Sequence, residues 1–391
     1  MDRTPGGRGQ AGRVAPVCST GRRGKKMSHH FDPFRSAATG WIFHCDADAF
    51  YASCHMAENQ ELAGHPLVVA GDPKARHGII VTASYPARKC GIRTGMRLDD
   101  AWDLCPDLVA IKPDRELYRR YSAAMHDVFV RHSQIVEPLS LDEAWLDMSP
   151  YLSFSMDPLP VAQELQEAVA RDVGIFVSIG ISVNKMLAKQ VSDWSKPHGI
   201  TLLRAQELPA RLWPRPVSEL FGCGPSSAQK LAAMGVGSIG HLAALPLPEV
   251  LERFGQHGLA LYMRARGEDN TPVTVPRRED RRSVSAEHTT ERDIVDREDA
   301  GALLRQCASE VSHRLQSLCM VGYRIAIKWR TREFVTFGRQ MRVTEPLIQT
   351  EDIYRAARTL WNRRGEVRPV RLLGITVSAL DGLPRQLHFW P

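Results

Sequence analysis

No stretch of this 391-residue chain stays apolar long enough to span a bilayer, which takes roughly 20 residues. Its N-terminal part also lacks the apolar core of a secretory signal, so no membrane partner is expected. Cysteine is sparse, with eight at positions 18, 45, 54, 90, 105, 223, 307 and 319. No two form a C-x-x-C pair, which argues against zinc or dithiol redox chemistry; they read as reduced, mostly buried thiols of a cytoplasmic protein. A Gly-rich phosphate loop is missing too, so phosphate chemistry here must draw its donors from elsewhere.

What is present is charge, unevenly placed. The net charge of +7 resolves into +6 over residues 1–44 (8 basic against 2 acidic) and +6 over 270–391 (21 against 15). The middle, 45–269, carries −5 (22 against 27). A basic C-terminal third suits a sequence-independent grip on phosphates, while an acidic middle suits a centre whose metals and bound phosphates change the local balance.

Three of those acids stand out. Asp46 ends the apolar run W-I-F-H-C, and Asp142-Glu143 follows Q-I-V-E-P-L. Acids gathered at one sheet edge repel one another unless cations neutralise them. Hard divalent ions such as Mg²⁺ take carboxylates together with substrate phosphates, and a pair of them promotes in-line attack on a phosphate. Neighbouring strand residues point to opposite faces, so Asp142 and Glu143 can share a centre only from a turn. The alternation from Glu143 to Met148 supplies the return strand of such a hairpin. Any one of these acids alone would read as a solvated turn residue.

Four segments in order lift the acids above that reading: D-A-D-A-F-Y-A-S (Asp46–Ser53), T-A-S-Y-P-A-R-K-C-G-I-R-T-G-M (Thr82–Met96), S-L-D-E-A-W-L-D (Ser140–Asp147) and G-I-S-V-N-K-M-L-A-K-Q-V-S-D-W-S-K-P-H-G (Gly180–Gly199). Together they resemble the motifs of the Y family of translesion DNA polymerases, from about Trp41 to the C-terminus. The resemblance implies an α+β multidomain chain. Residues 41–50 and 115–203 would form a ferredoxin-like palm, with a fingers domain, 51–114, inserted in it. A helical thumb, 204–269, would carry a helix-hairpin-helix, and a linker, 270–282, would lead to a little finger of β-α-β-β-α-β order, 283–380. Residues 1–40, rich in Gly, Arg, Ser and Pro, read as a disordered basic extension, and Met27 is a candidate start.

By the same resemblance, Asp46, Asp142, Glu143 and the backbone carbonyl of Ala47 hold two Mg²⁺ ions, with the three acids catalytic. Tyr85, Arg88 and Lys196 contact the incoming triphosphate, and Lys189 is a weaker candidate. Tyr51, beside Phe50, takes the steric-gate position against a ribose 2′ hydroxyl. Asp48 shares the strand face of Asp46 but is read as structural. His55 and His198 depart from the family's usual residues and are read as polar packing positions.

The thumb segment L-F-G-C-G-P-S-S-A-Q-K-L (Leu220–Leu231) offers Gly222 and Gly224 for a tight turn whose N–H groups can approach a phosphate. In the little finger, Arg324, Lys328 and Arg330 alternate onto one face, and Arg330 and Arg332 are the chosen phosphate contacts. The tail, 381–391, ends in L-P-R-Q-L-H-F-W-P (Leu383–Pro391) and resembles the bacterial clamp-binding peptide through Gln386, Leu387, Phe389 and Trp390.

The expected function is template-directed, low-fidelity addition of deoxyribonucleotides to a primer 3′ end, by a monomer whose partners are primer–template DNA, deoxyribonucleoside triphosphates and a sliding clamp. The competing classes are a non-catalytic adaptor and another two-metal palm enzyme such as a nucleotidyl cyclase. Retention of the acids argues against the first, and the helix-hairpin-helix with the basic last domain argues against the second.

Overall fold

The structure, a computed structural model, describes residues 40–72, 78–276, 280–363 and 369–382. The N-terminal extension up to residue 39, part of the charged linker (277–279) and the tail residues Gln386, Leu387, Phe389 and Trp390 lie outside the described residues. Among the described residues the strands form three sheets. No described helix is long and apolar enough to cross a membrane.

The chain opens with β1 (Ile42–Ala47), every residue of which is buried. It then turns at Ala49, which sits in the left-handed region with φ 48°, into α1 (Phe50–Glu58). Next comes a small unit: β2 (Leu67–Ala70), β3 (Ile80–Ala83), α2 (Tyr85–Lys89), α3 (Leu98–Leu104) and β4 (Val109–Ile111). Its strand order is β3-β2-β4, with β2 and β4 parallel. It has its own core around Val68, Ile80, Ile92 and Leu98.

The main sheet is completed by β5 (Val136–Pro138), β6 (Glu143–Asp147), β7 (Val177–Ser182) and β8 (Ile200–Leu202), in the order β5-β6-β1-β7-β8. The helices between them are α4 (Arg115–His132), α5 (Leu159–Val173) and α6 (Lys185–Ser192). Of these the longest is α4, with 18 residues. Asp114 caps it by accepting from the Glu116 and Leu117 N–H groups, each at 3.0 Å, and so satisfies donors a helix start leaves orphaned. The helices α4 and α5 bury Tyr118, Phe129, Leu165 and Val169 against Phe43, Cys45, Ile179 and Ile181 of the sheet. On α6, Asn184 accepts from the Leu187 N–H at 2.9 Å. At Gly180 on β7 a Cβ would overlap the Ala188 carbonyl and the Ser192 amide. Glycine there lets α6 lie directly on the strand, which delivers Lys189 and Ser192 to the sheet edge.

The helical region that follows holds α7 (Leu208–Arg211), α8 (Pro225–Ala233), α9 (Ile239–Ala244) and α10 (Leu247–Ala265). The helix expected before the Gly222 turn is a single 3₁₀ turn, Val217–Glu219, because Pro214 and Pro216 immediately upstream limit a longer helix. Residues beyond α10 strap back onto the main sheet. Val273 is buried with Ile42, Trp145 and Ala188, and the Thr274 N–H donates to Glu137 at 2.7 Å.

The last region runs β9 (Ser283–Ile294), α11 (Arg297–Ser317), β10 (Met320–Thr331), β11 (Thr336–Leu347), α12 (Thr350–Asn362) and β12 (Val370–Gly382). This is the β-α-β-β-α-β order read from the sequence, folded with strand order β11-β10-β12-β9. Both helices pack on one face, over Ile325, Ile327, Trp329, Leu373 and Ile375. The alternate residues, Arg324, Lys328 and Arg330, therefore face away from the helices.

Candidate active site

Two strands bring the acids together. Asp46, near the end of β1, is directly opposite Glu143, the first residue of β6, and opposed residues of an antiparallel pair share a face. Asp142 lies in the bend before β6, as the turn argument required. Its carbonyl accepts from the Ala47 N–H at 2.9 Å, which locks the bend to the end of β1. The Asp142 side chain instead meets Ser140, whose Oγ donates at 2.5 Å. The tight cluster of potential ligands is His44, Asp46 and Glu143, whose donor atoms lie within 4.8 Å of one another. Asp142 stands beside it on the Tyr51 side.

Cations answer these charges. Lys196 Nζ is 2.5 Å from Asp46 Oδ1 and 2.9 Å from Asp193. Lys189 pairs with Glu143 Oε2 and lies 3.9 Å from Asp46. Burial pushes the Asp46 carboxyl up to about 7 against the pull of Lys196, while Asp46 and Asp193 outweigh burial at Lys196 and hold that ammonium above its usual range. The two shifts favour different forms of Asp46, and the 2.5 Å contact decides for the ionised pair. At Glu143 burial raises the carboxyl, but hydrogen bonds from His44 and Lys189 win and hold it at about 2.

His44 was not singled out from sequence, although its i, i+2 spacing from Asp46 places it on the same strand face. The ring is fully buried, with Nδ1 3.0 Å from Ser192 Oγ and Nε2 3.2 Å from Glu143 Oε2. Burial lowers it to about 4, so at neutral pH it carries one ring proton. A carboxylate offers no hydrogen, so that proton belongs on Nε2, facing Glu143.

Of the residues expected to contact the nucleotide, Tyr85 meets Asp48, which is 3% exposed. Tyr85 Oη donates to Asp48 Oδ1 at 2.9 Å, Ser178 Oγ donates to the same oxygen at 2.9 Å, and the His198 N–H donates to Oδ2 at 2.9 Å. Arg88, one turn from Tyr85 on α2, lays its guanidinium 4.9 Å from the Tyr85 ring centre and donates from Nε to the Ala83 carbonyl at 2.9 Å. The hydroxyl hydrogen of Tyr85 is thus committed to Asp48. Phe50 is buried in the main core, while Tyr51, half-buried, stacks on Tyr118 with centroids 4.1 Å apart. Burial and the nearby Asp142 charge raise the Tyr51 hydroxyl. His55 accepts or donates at the Tyr118 hydroxyl, 2.9 Å away, and His198 packs its ring on Phe176.

Further out, Gly222 has φ 87°, and a Cβ there would strike the Arg264 guanidinium. Arg264 donates to the Phe221 carbonyl at 3.0 Å and lies over the Phe221 ring, a cation at the turn that sequence reading missed. Gly224 has an extended ψ and open space around it, and serves as the cap of α8. On the last sheet Arg324 is opposite Arg342, Arg330 donates to Thr336 at 2.8 Å and Arg332 is exposed at the hairpin. Lys328 pairs with Glu287, both well exposed. Such an exposed pair is worth at most about 1 kcal/mol.

The chain is similar to known proteins in both sequence and fold. Residues 45–193 match the family model described as the impB/mucB/samB family, and residues 281–389 match that family's C-terminal domain. DNA polymerase IV of Moorella thermoacetica is 38% identical over 341 residues, covering 87% of this chain and 85% of that protein. DNA polymerase IV 1 of Bacillus subtilis is 38% identical, covering 87% and 82%. A solved Y-family DNA polymerase chimera superposes with a TM-score of 0.79 at 22% identity, covering 88% of this chain and 99% of that one, a likeness of fold.

Proposed function

This chain belongs to the impB/mucB/samB family, the bacterial Y-family DNA polymerases, and from that premise we propose that Asp46, Asp142 and Glu143 are the acids around which it extends a primer. Family membership makes it a template-directed translesion DNA polymerase that takes primer–template DNA and deoxyribonucleoside triphosphates and works with a divalent metal. The observation that carries the residue assignment is the direct opposition of Asp46 and Glu143 across the β1–β6 ladder, with Asp142 tied to the same strand end.

Three carboxylates and the Ala47 carbonyl form a hard, all-oxygen donor set of the kind Mg²⁺ prefers. Bound there, two Mg²⁺ ions would lower the pKa of the primer 3′ hydroxyl and steady the departing pyrophosphate. His44 is an unlike donor, and its fit is as a support: its Nε2 and Lys189 both engage Glu143 Oε2, leaving Oε1 for a cation. Lys196 and Arg88 hold the triphosphate as fixed positive charges, and Tyr85 lines it beside Arg88 while its hydroxyl stays on Asp48. Tyr51, stacked on Tyr118 and beside Asp142, rejects the ribose 2′ hydroxyl by overlap.

The open face of the last sheet, with Arg324 and Arg330, and the hairpin residue Arg332 grip DNA phosphates. The turn at Gly222, reinforced by Arg264, contacts the duplex from the helical region. Gln386, Leu387, Phe389 and Trp390 dock in a sliding clamp, and the polymerase acts as a cytoplasmic monomer.

The deciding experiment is primer extension under a titration of Mg²⁺, with each acid replaced in turn. Template-dependent extension that rises with Mg²⁺ and vanishes in Asp46→Asn supports the assignment. An adaptor would give no extension at any Mg²⁺ level. A cyclase would release cyclic nucleotide from ribonucleotides without template.

A further inference from the structure

Asp48 is a buried carboxylate that takes no part in the acid cluster, yet it is the shared acceptor for three separate pieces of the site. Its oxygens receive the Tyr85 hydroxyl from α2, the Ser178 hydroxyl from β7 and the His198 N–H from the loop that carries Lys196. Ser178 contacts both oxygens, at 2.9 and 3.1 Å, and so fixes the rotation of the carboxylate. Each remaining oxygen direction then points at one nucleotide-contact element: Oδ1 at Tyr85 and Oδ2 at the residue two beyond Lys196. Tyr85 belongs to the unit built on the β3-β2-β4 sheet, and Lys196 to the main sheet. We propose that Asp48 is a positioning residue for the triphosphate: it sets the spacing between Tyr85, with the Arg88 stacked on it, and Lys196. The proposal rests on the reading that Arg88 and Lys196 hold the triphosphate.

The physical case is one of unmatched donors. Asp48 ionised is acceptor only, and the three groups around it offer it N–H and O–H hydrogens. Asparagine has the same shape but no charge: its NH₂ must face either the His198 N–H, which breaks that link, or Tyr85 Oη, which can accept it only in a weaker neutral hydrogen bond. Either way one end of the Tyr85–Asp48–His198 bridge is lost or weakened and one element shifts relative to the other, while Asp46 and Glu143 keep their cross-strand contact. The cost should therefore fall on nucleotide binding rather than on the chemical step.

Steady-state kinetics of single-nucleotide insertion would test this in Asp48→Asn, Tyr85→Phe, their double variant and Lys196→Met. Loss of one hydrogen bond to a charged acceptor should raise the nucleotide KM of Asp48→Asn about tenfold with kcat little changed. The double variant should be no worse than the poorer single, because both changes cut the same link. If Lys196→Met leaves KM unchanged, the triphosphate reading itself fails. If Lys196→Met raises KM but Asp48→Asn does not, or if Asp48→Asn and Tyr85→Phe combine multiplicatively, the positioning role is overturned. Should Asp48→Asn not fold, Ser178→Ala serves instead: it frees the carboxylate to rotate and should raise KM severalfold, and a lowered Tm with an unchanged KM would count against the proposal.

Discussion

Asp46 and Glu143 stand directly opposite each other across two hydrogen-bonded strands, each facing a lysine from the same stretch of chain. Lys189 on α6 meets Glu143, and Lys196 just beyond α6 meets Asp46. Two acids opposed on one ladder, Asp46 buried and Glu143 half-buried, would repel strongly, so the segment that supplies their counter-charges is as much a part of the centre as the acids themselves.

Replacing Asp142 tests the third acid. We predict that Asp142→Ala abolishes nucleotide addition while DNA binding stays close to wild type, since phosphate contacts elsewhere provide most of the affinity. Among the described residues its side chain hydrogen-bonds to Ser140 alone, so folding should survive. Extension within about tenfold of wild type, less than the two decades expected from losing a charge at the reacting phosphate, would remove Asp142 from the centre.

Sugar discrimination should reside in Tyr51. Its ring is braced by Tyr118, so it cannot swing aside cheaply. We predict that Tyr51→Ala raises ribonucleotide incorporation by about two orders of magnitude, as expected when overlap in a packed site is relieved, with a smaller fall for deoxyribonucleotides. Phe50→Ala, which opens the core instead, should lower efficiency for both sugars and reduce stability. The measurement is kcat/KM for each sugar, and an unchanged ratio in Tyr51→Ala would place the gate elsewhere.

Clamp docking by the tail should be separable from catalysis. Deleting Gln386–Pro391 should remove stimulation by a bacterial sliding clamp and leave unassisted primer extension as it was. Equal stimulation of the shortened chain would refute clamp docking through these residues.

His44 links the site to stability at mildly acidic pH. Its ordinary pKa of 6.5 falls to about 4 on burial, with Lys189 adding to that and Glu143 and Asp193 opposing it. The unfolded chain therefore takes up a proton before the folded one, and stability falls as pH drops from 6.5 toward 4. The loss amounts to at most about 3 kcal/mol across that window. We predict that Tm declines more steeply between pH 7 and pH 5 in the wild type than in His44→Gln. Parallel declines would show that His44 does not titrate in this way.

The order of elements, the acidic residues and the family were legible in the sequence, because each is written in short-range pattern. The alternation around Asp46 and Glu143 marks strands, the bend needed at Asp142 follows from the twofold period of a strand, and the β-α-β-β-α-β order of residues 283–380 is visible in its hydrophobic rhythm. What tertiary structure decided is which groups meet over long separations. Lys196, read as a triphosphate contact, reaches Asp46 across 150 residues, and Tyr85 is engaged by Asp48 across 37. His44 enters the site only because β6 and α6 close around it. Strand periodicity specifies the face a side chain occupies, but it carries no information about which distant helix will cover that face. The close approach of α6 at Gly180 brings Lys189 to Glu143 and Ser192 to His44, while Asp48 meets Tyr85, Ser178 and His198 apart from the acid cluster.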